Sequence, residues 1–236
     1  MHFPYREVSA ILKHCEECHH AQTVPDLAKE LAISELPTLI RRFLYDQLHS
    51  DEHQFSADVP LRQMPVYGGR LNVFHSAMAT FFAPSDPSGI GGMHREHIRA
   101  TPSWRCGAAR YDTILVDTDD SPNSINGMEV ARVLCFFSFP FLNKTNPCAL
   151  VHWYKQIGSQ PDNATKLWMV CPSIETGSRE LSVIHLDSIF CAVHLLPMYG
   201  NSNPMHPAVN FDTSLNAFKE YYVSKFADHH SFEILS

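Results

Sequence analysis

Two apolar stretches in the middle of the chain, EVARVLCFFSF at residues 129–139 and CALVHWYKQ at residues 148–156, decide the fold class. Both are rich in the β-branched and aromatic residues that favour a pleated, half-buried strand. Between them lies NKTN at residues 143–146, whose asparagines are typical of a tight turn. The sequence therefore predicts two strands joined by a turn at the centre of a β-rich structure.

Five further segments on either side have the same character. They are residues 70–82, 111–117, 167–171, 181–186 and 189–196. No helical pattern separates them, which favours a small barrel or sandwich over a parallel sheet. Leu215, Phe218, Tyr222 and Phe226 follow at spacings of three or four residues and predict a helix over residues 214–227 that closes one end of the barrel. We expect a mainly β, α+β fold: a partly open barrel with flanking helices.

The first 50 residues predict a separate helical segment. A stripe at helical spacing is strongest over residues 34–49, and consists of Leu36, Leu39, Ile40, Phe43 and Leu44. Because a helical hairpin of this size cannot bury its own apolar side, the stripe predicts a docking face. The polar residues 51–65, with Pro60 and Pro65, predict a linker, and residues 66–236 the β-rich domain.

Composition limits the classes of function. The chain has 236 residues, 44% of them hydrophobic, and 18 Lys+Arg against 25 Asp+Glu give a formal charge of −7. Such a composition excludes general disorder and argues against coating nucleic acid through bulk charge, although not against a local basic patch. No apolar run reaches the ~20 residues needed to cross a membrane, and the amino terminus lacks a secretory signal. We expect a soluble intracellular protein without a membrane partner.

Residues 93–110 form the most basic stretch, with a single carboxylate at Glu96. It contains Arg95, Arg99, Arg105 and Arg110, with Trp104 among them. Arginines beside an aromatic ring can pair with phosphates and stack on a base, which predicts a nucleic-acid contact. They can equally pair with the acidic residues that follow, such as Asp112, in an internal scaffold. Both interpretations remain open at this stage.

Three aromatic residues in the strand segments are a second candidate site. Trp153, Tyr154 and Trp168 could line a cleft, such as a cage for a methylated lysine. Aromatic residues within strands are more often part of the core.

The amino-terminal sequence HCEECHH contains a possible metal site. On a helix, Cys15, Cys18 and His19 would share one face and could supply part of a tetrahedral zinc site. A closed site needs four ligands, and no second ligand pair follows downstream, unless His229 and His230 complete it. The alternative is an amphipathic helix with Cys15 on its buried side. We expect neither a metal nor a cofactor.

Several phrases of the sequence occur together and in this order in one protein family. They are VYGGRLNV (66–73), APSD (83–86), GGMHRE (91–96), ARYDT (109–113), CALVHW (148–153), VIHLD (183–187), HLLPMYG (194–200) and ADHH (227–230). The chain resembles the carboxy-terminal part of fungal Plavaka-type transposases, which are related to the Kyakuja–Dileera–Zisupton elements. The resemblance implies a region downstream of an RNase H-like catalytic core, so no catalytic residue can be transferred to this sequence. The order of β segments also resembles, more weakly, a bromo-adjacent homology domain, a module that binds chromatin or nucleosomes.

These observations lead to two expectations of function. The first is a non-catalytic, transposase-derived accessory domain in the nucleus that contacts DNA or chromatin through residues 95–110. The second is a protein-interaction module without nucleic-acid affinity, in which the helix over residues 34–49 docks on a transposase core or on a second copy. An enzymatic interpretation, a metal-dependent nuclease or a redox protein built on Cys15 and Cys18, ranks last.

Overall fold

The computed structural model describes residues 9–13, 21–49, 56–83, 91–118, 125–199, 209 and 213–236. The strands in this part are β1 Ser9–Lys13, β2 Asn72–Phe74, β3 Ser76–Phe82, β4 Met93–Thr101, β5 Arg110–Tyr111, β6 Thr113–Asp117, β7 Met128–Phe141, β8 Lys144–Ile157, β9 Trp168–Pro172, β10 Ile174–Glu175, β11 Ser178–Arg179, β12 Leu181–His185, β13 Ile189–Pro197 and β14 Tyr221–Ser224. The helices are α1 Val24–Glu30, α2 Leu36–Leu48, α3 Ser214–Ala217 and α4 His229–Leu235, with 3-10 turns at Ser56–Asp58, Leu61–Gln63 and Leu186–Ser188.

A long hairpin, β7–β8, is the framework of the fold. Each strand has 14 residues, and their pairing runs up to the turn, where Phe141 faces Lys144. Leu142 and Asn143 form the turn with φ of 50° and 61°, the left-handed conformation that matches the twist of a two-residue hairpin. Asparagine adopts this conformation readily. The turn therefore includes Asn143 of the predicted NKTN segment but begins one residue earlier, at Leu142.

The half of the hairpin away from the turn belongs to a closed ring. Antiparallel pairings connect six of the described strands in the order β8–β9–β14–β13–β6–β7 and return to β8. The half near the turn extends beyond the ring, where β2 pairs with β7 and β12 with β8. This arrangement confirms the expected α+β fold with a partly open barrel.

A second sheet, with the order β1–β3–β4–β5, packs on the outside of the ring. Its buried residues alternate with exposed ones, so that Ala77 and Ala79 on β3 and Ile98 on β4 face the barrel. On the barrel side, Ile114 and Val133 belong to the same apolar cluster. The second sheet therefore fixes the position of β4, which carries two of the predicted site arginines.

Helices α1 and α2 cover the half of the hairpin near the turn. Leu36, Ile40 and Phe43 are at most 5% exposed and belong to one cluster with Phe137 and Phe139 of β7. The apolar stripe of α2 thus packs on the sheet of its own chain. In the described part of the predicted linker, residues 56–65, Val59 and Met64 pack on Tyr45 of α2.

Two local predictions were wrong, and one strand was not predicted. In the segment predicted as helical, Ser9–Lys13 is a strand, β1, paired with β3. Residues 93–101 form a strand, β4, that was not predicted, because most of its side chains are polar and show no alternation of apolar and polar residues. The predicted helix over residues 214–227 is limited to the four residues of α3, because Tyr221 and Val223 follow the period of two of a strand and pair within β14 to β9 and β13.

In the described part of the chain, every helix is too short or too polar to serve as a membrane span.

Candidate nucleic-acid interface

The basic residues predicted from sequence lie on β4 and the loop that follows it. Because Ile98 and Ala100 are buried against the barrel, the alternate positions Arg95 and Arg99 lie on the outer face of β4. The strand ends at Thr101, and the loop of residues 102–109 then brings Trp104 and Arg105 back beside Arg99. We call Arg95, Arg99, Trp104 and Arg105 the arginine surface.

Three guanidinium groups surround the indole ring of Trp104. The Cζ atoms of Arg99, Arg105 and Arg110 lie 4.3, 5.4 and 5.5 Å from the ring centroid. Each is within cation–π distance, where the negative face of the indole attracts a cation. Arg95 makes no contact with Trp104; it lies four residues along β4 from Arg99, at a distance of about 13 Å.

The loop that carries Trp104 is held by its own hydrogen bonds. The Trp104 N–H donates to the Ala108 carbonyl at 3.0 Å, and the Gly107 N–H donates to the Trp104 carbonyl at 2.9 Å. Arg105 and Cys106 adopt φ of 52° and 60°, which turns the chain sharply at the tip. The position of the indole is therefore set locally by residues 101–108.

One of the four arginines is neutralised by a carboxylate. Arg110 donates to both oxygens of Asp112, at 2.7 Å to Oδ1 and 3.3 Å to Oδ2. Asp112 also accepts the backbone N–H of Arg99 at 2.8 Å. The internal salt bridge predicted as an alternative thus forms at Arg110. Among the described residues, Arg95, Arg99 and Arg105 have no carboxylate within ion-pair distance.

The electrostatics of the arginine surface favour an anion. Partial burial lowers the pKa of Arg99, and the positive charges of Arg110 and Arg105 lower it further. Burial is the largest cause of the lowered pKa and Asp112 opposes it, but the effects of Arg110 and Arg105 show that these neighbouring cations repel Arg99. An anion placed against them relieves this repulsion.

Trp104 is not available as a base-stacking platform on the face that Arg99 occupies. A guanidinium 4.3 Å from the ring centroid fills the space that a stacked base would need. The indole instead gathers the guanidinium groups of Arg99, Arg105 and Arg110 within 5.5 Å of its centroid, and Nη1 of Arg99 donates to the His97 carbonyl at 3.2 Å. This geometry suits phosphate oxygens better than base faces.

The predicted aromatic cleft is not assembled. Trp153 and Tyr154 are consecutive residues of β8 and therefore point to opposite faces. Tyr154 lies inside the barrel, in edge contact with Tyr221 at 5.9 Å between ring centroids. Trp153 lies outside and donates from Nε1 to Ser182 Oγ at 2.9 Å. Trp168 of β9 is on the face of Tyr154, as the pairing of Tyr154 with Pro172 shows.

The residues of the predicted zinc site, Cys15, Cys18 and His19, lie outside the described residues, and their role stays a prediction. Elsewhere, the described part of the chain holds no group of three His, Cys, Asp or Glu side chains that could bind a metal ion.

Sequence reasoning missed a second basic region at the mouth of the barrel. Arg132 of β7 is 7% exposed and is paired with Thr113 and His152 on the two neighbouring strands, β6 and β8. The sequence alone predicts it only as part of an apolar strand. The sequence feature that could have revealed it is the arginine in the otherwise apolar part of EVARVLCFFSF. In a strand, this position faces into the barrel.

The chain matched none of the known protein families, curated proteins or solved structures with which it was compared.

Proposed function

We propose that this protein is a non-catalytic accessory domain that contacts DNA, in the nucleus, through the arginine surface. The observation that carries the proposal is the grouping of Arg99 and Arg105 around Trp104 without a carboxylate partner among the described residues. The resemblance to the carboxy-terminal part of Plavaka-type transposases is in keeping with such a role, since it places strand-transfer chemistry in a separate core.

The proposed contact is to the phosphate backbone. Guanidinium groups form charge-assisted hydrogen bonds with phosphate oxygens, frequently in a bidentate arrangement. Contacts of this kind position a protein on a duplex but carry no sequence information directly. With a formal charge of −7, the chain must rely on this local patch, so we expect weak and strongly salt-dependent binding.

The salt dependence provides a quantitative test. Each neutralised phosphate contributes about −0.9 to the slope of log K against log salt concentration. Contacts from Arg95, Arg99 and Arg105 give a slope of about −2.7, which is about a 40-fold loss of affinity between about 50 and 200 mM salt. In the double variant Arg99→Gln/Arg105→Gln the slope falls to about −0.9, and the same change of salt costs only about 3- to 4-fold.

The matched control removes two positive charges elsewhere. Arg42 on α2 and Arg62 in the 3-10 turn Leu61–Gln63 are both exposed and contact neither Trp104 nor Arg110. Fluorescence anisotropy with a short labelled duplex should give the wild-type slope for Arg42→Gln/Arg62→Gln. Equal slopes for both double variants would show that bulk charge, rather than the arginine surface, binds DNA.

The alternative of a protein-docking module loses the surface on which it was based. Three residues of the α2 stripe, Leu36, Ile40 and Phe43, are buried against strand β7 of the same chain. A partner could reach it only by displacing this packing.

A further inference from the structure

A cleft opens at the end of the barrel where the connection between α1 and α2 crosses the mouth. Leu31–Glu35 form one wall, and Tyr111, Arg132, Arg179 and Asn216 form the rest together with Leu134, Ser178 and Leu181. Its volume is about 540 Å³, and a second space of about 370 Å³ adjoins it, since both are lined by Arg179 and Asn216. Volumes of this size are typical of sites for small organic molecules.

Arg132 places a buried positive charge at the base of this cleft. Its Nη1 donates to Asn216 Oδ1 at 2.7 Å, its Nε approaches the Tyr111 carbonyl at 3.4 Å, and its guanidinium lies 5.5 Å from the centroid of the Tyr111 ring. Within the described residues, no carboxylate forms an ion pair with Arg132. No hydrogen bond from its Nη2 to another described residue is seen either.

An arginine in this position is energetically costly without a counter-ion. Removing a guanidinium from water is compensated only where an opposite charge or a full set of hydrogen bonds replaces the water. Burial lowers the pKa of Arg132, and the nearby positive charge of Arg179 lowers it further. Among the described residues, none supplies the negative charge that would compensate Arg132.

The other charged residues that line the two spaces are mostly positive, like Arg132. Arg179 lines both spaces and Lys219 lines the second, whereas Glu35 is the one carboxylate among the lining residues described. In a chain with a formal charge of −7, this is a local reversal. His152 also lines the second space, but burial lowers its pKa and it adds no positive charge at neutral pH. The cleft also has an apolar lining, with Leu31 and Ile33 on the wall formed by residues 31–35 and Leu181 on the part that carries Arg132 and Arg179.

We propose that this cleft binds a small organic anion, whose carboxylate or phosphate group pairs with Arg132 and Arg179 and whose apolar body lies against Leu31, Ile33 and Leu181. A guanidinium has the planar, two-donor geometry that matches either acid group. The site is separate from the arginine surface, so its occupation does not depend on the proposed DNA contact.

Thermal unfolding in the presence of defined anions tests the proposal. The probes are inorganic phosphate, phenyl phosphate and benzoate, each compared with chloride at equal ionic strength. We expect phenyl phosphate, benzoate or both to raise Tm in a saturable way, by about 5–10 °C at about 100 times Kd, and inorganic phosphate to raise it less. The order of the phenyl phosphate and benzoate effects identifies the acid group.

Two variants assign the effect to the cleft. Arg132→Met should abolish the rise in Tm while leaving the Tm without ligand unchanged or higher, because a buried charge without a counter-ion is replaced by an apolar side chain. The exposed Arg179→Gln should weaken binding at least tenfold with no change of Tm in chloride. Arg42→Gln is the matched control and should keep the wild-type response.

The result that would overturn the proposal is equally defined. If wild-type Tm responds to these anions no more than to chloride, or if Arg132→Met and Arg179→Gln both keep the wild-type response, the cleft does not bind an anion. Should Arg132→Met fail to fold, Arg179→Gln alone decides between these outcomes.

Discussion

Replacing Phe43 with alanine tests whether α2 belongs to the core of this chain or to an interface with another one. Phe43 is 5% exposed, and its ring meets Phe139 of β7 edge to face, with centroids 6.3 Å apart. Removing a phenylalanine from such a site costs about 3–5 kcal/mol in transfer free energy and cavity formation. In a protein of this size, this corresponds to a fall in Tm of about 6–20 °C.

The assay combines thermal unfolding, followed by circular dichroism, with sedimentation equilibrium of wild type and variant. Leu48→Ala is the matched control, because Leu48 lies on the same helix and is 47% exposed. We expect this variant to change stability by no more than about 0.5 kcal/mol. Neither substitution should change the mass in solution.

A different result would refute the reasoning. If Phe43→Ala kept the wild-type Tm but converted a dimer to a monomer, the apolar side of α2 would contact a second copy rather than β7.

Two further predictions concern buried titratable groups. Burial raises the pKa of Glu96 above its ordinary value of 4.5, although the Ala192 N–H donates to it. The folded state thus binds the proton more tightly than the unfolded state, and stability falls as pH rises from 4.5 through the raised pKa. Glu96→Gln should remove this fall in Tm between about pH 4 and 8 and leave the variant at least as stable at about pH 7; an unchanged pH profile would contradict this. Burial also raises the pKa of Cys135, to about 12, and that of Cys148. Iodoacetamide followed by peptide mapping should therefore label the exposed Cys106 in the native protein and these two thiols only after unfolding; native labelling of either would contradict it.

The strands of the barrel could be predicted from sequence because their apolar residues are contiguous and β-branched or aromatic. The stretch EVARVLCFFSF shows this for β7, although the bulge between Val133 and Cys135 was not predicted. The pattern failed where a strand is polar on one face, as in β4, or very short, as in β14. In these places the partner strand determines the conformation, and it is distant in sequence.

The candidate site was predictable in composition but not in geometry. Four arginines and a tryptophan within residues 93–110 were visible as a basic segment. The loop conformation determines which arginine forms the ion pair with Asp112 and which one covers Trp104. These are Arg110 and Arg99, and the sequence does not distinguish them from the other arginines. The basic cleft was not predictable, because its members come from β7, β11 and α3, which meet only when the ring closes.

Closure of the ring also has a consequence for synthesis of the protein on the ribosome. Strand β9 ends at Pro172, yet the strand β14 that pairs with it begins at Tyr221. At about 5–20 residues per second, translation of the intervening segment takes about 2–10 s. During this interval the nascent chain displays an unpaired strand edge and an open apolar interior, the features that attract chaperones and favour aggregation. Yield in a cell should therefore depend on chaperone capacity more than on the stability of the finished fold.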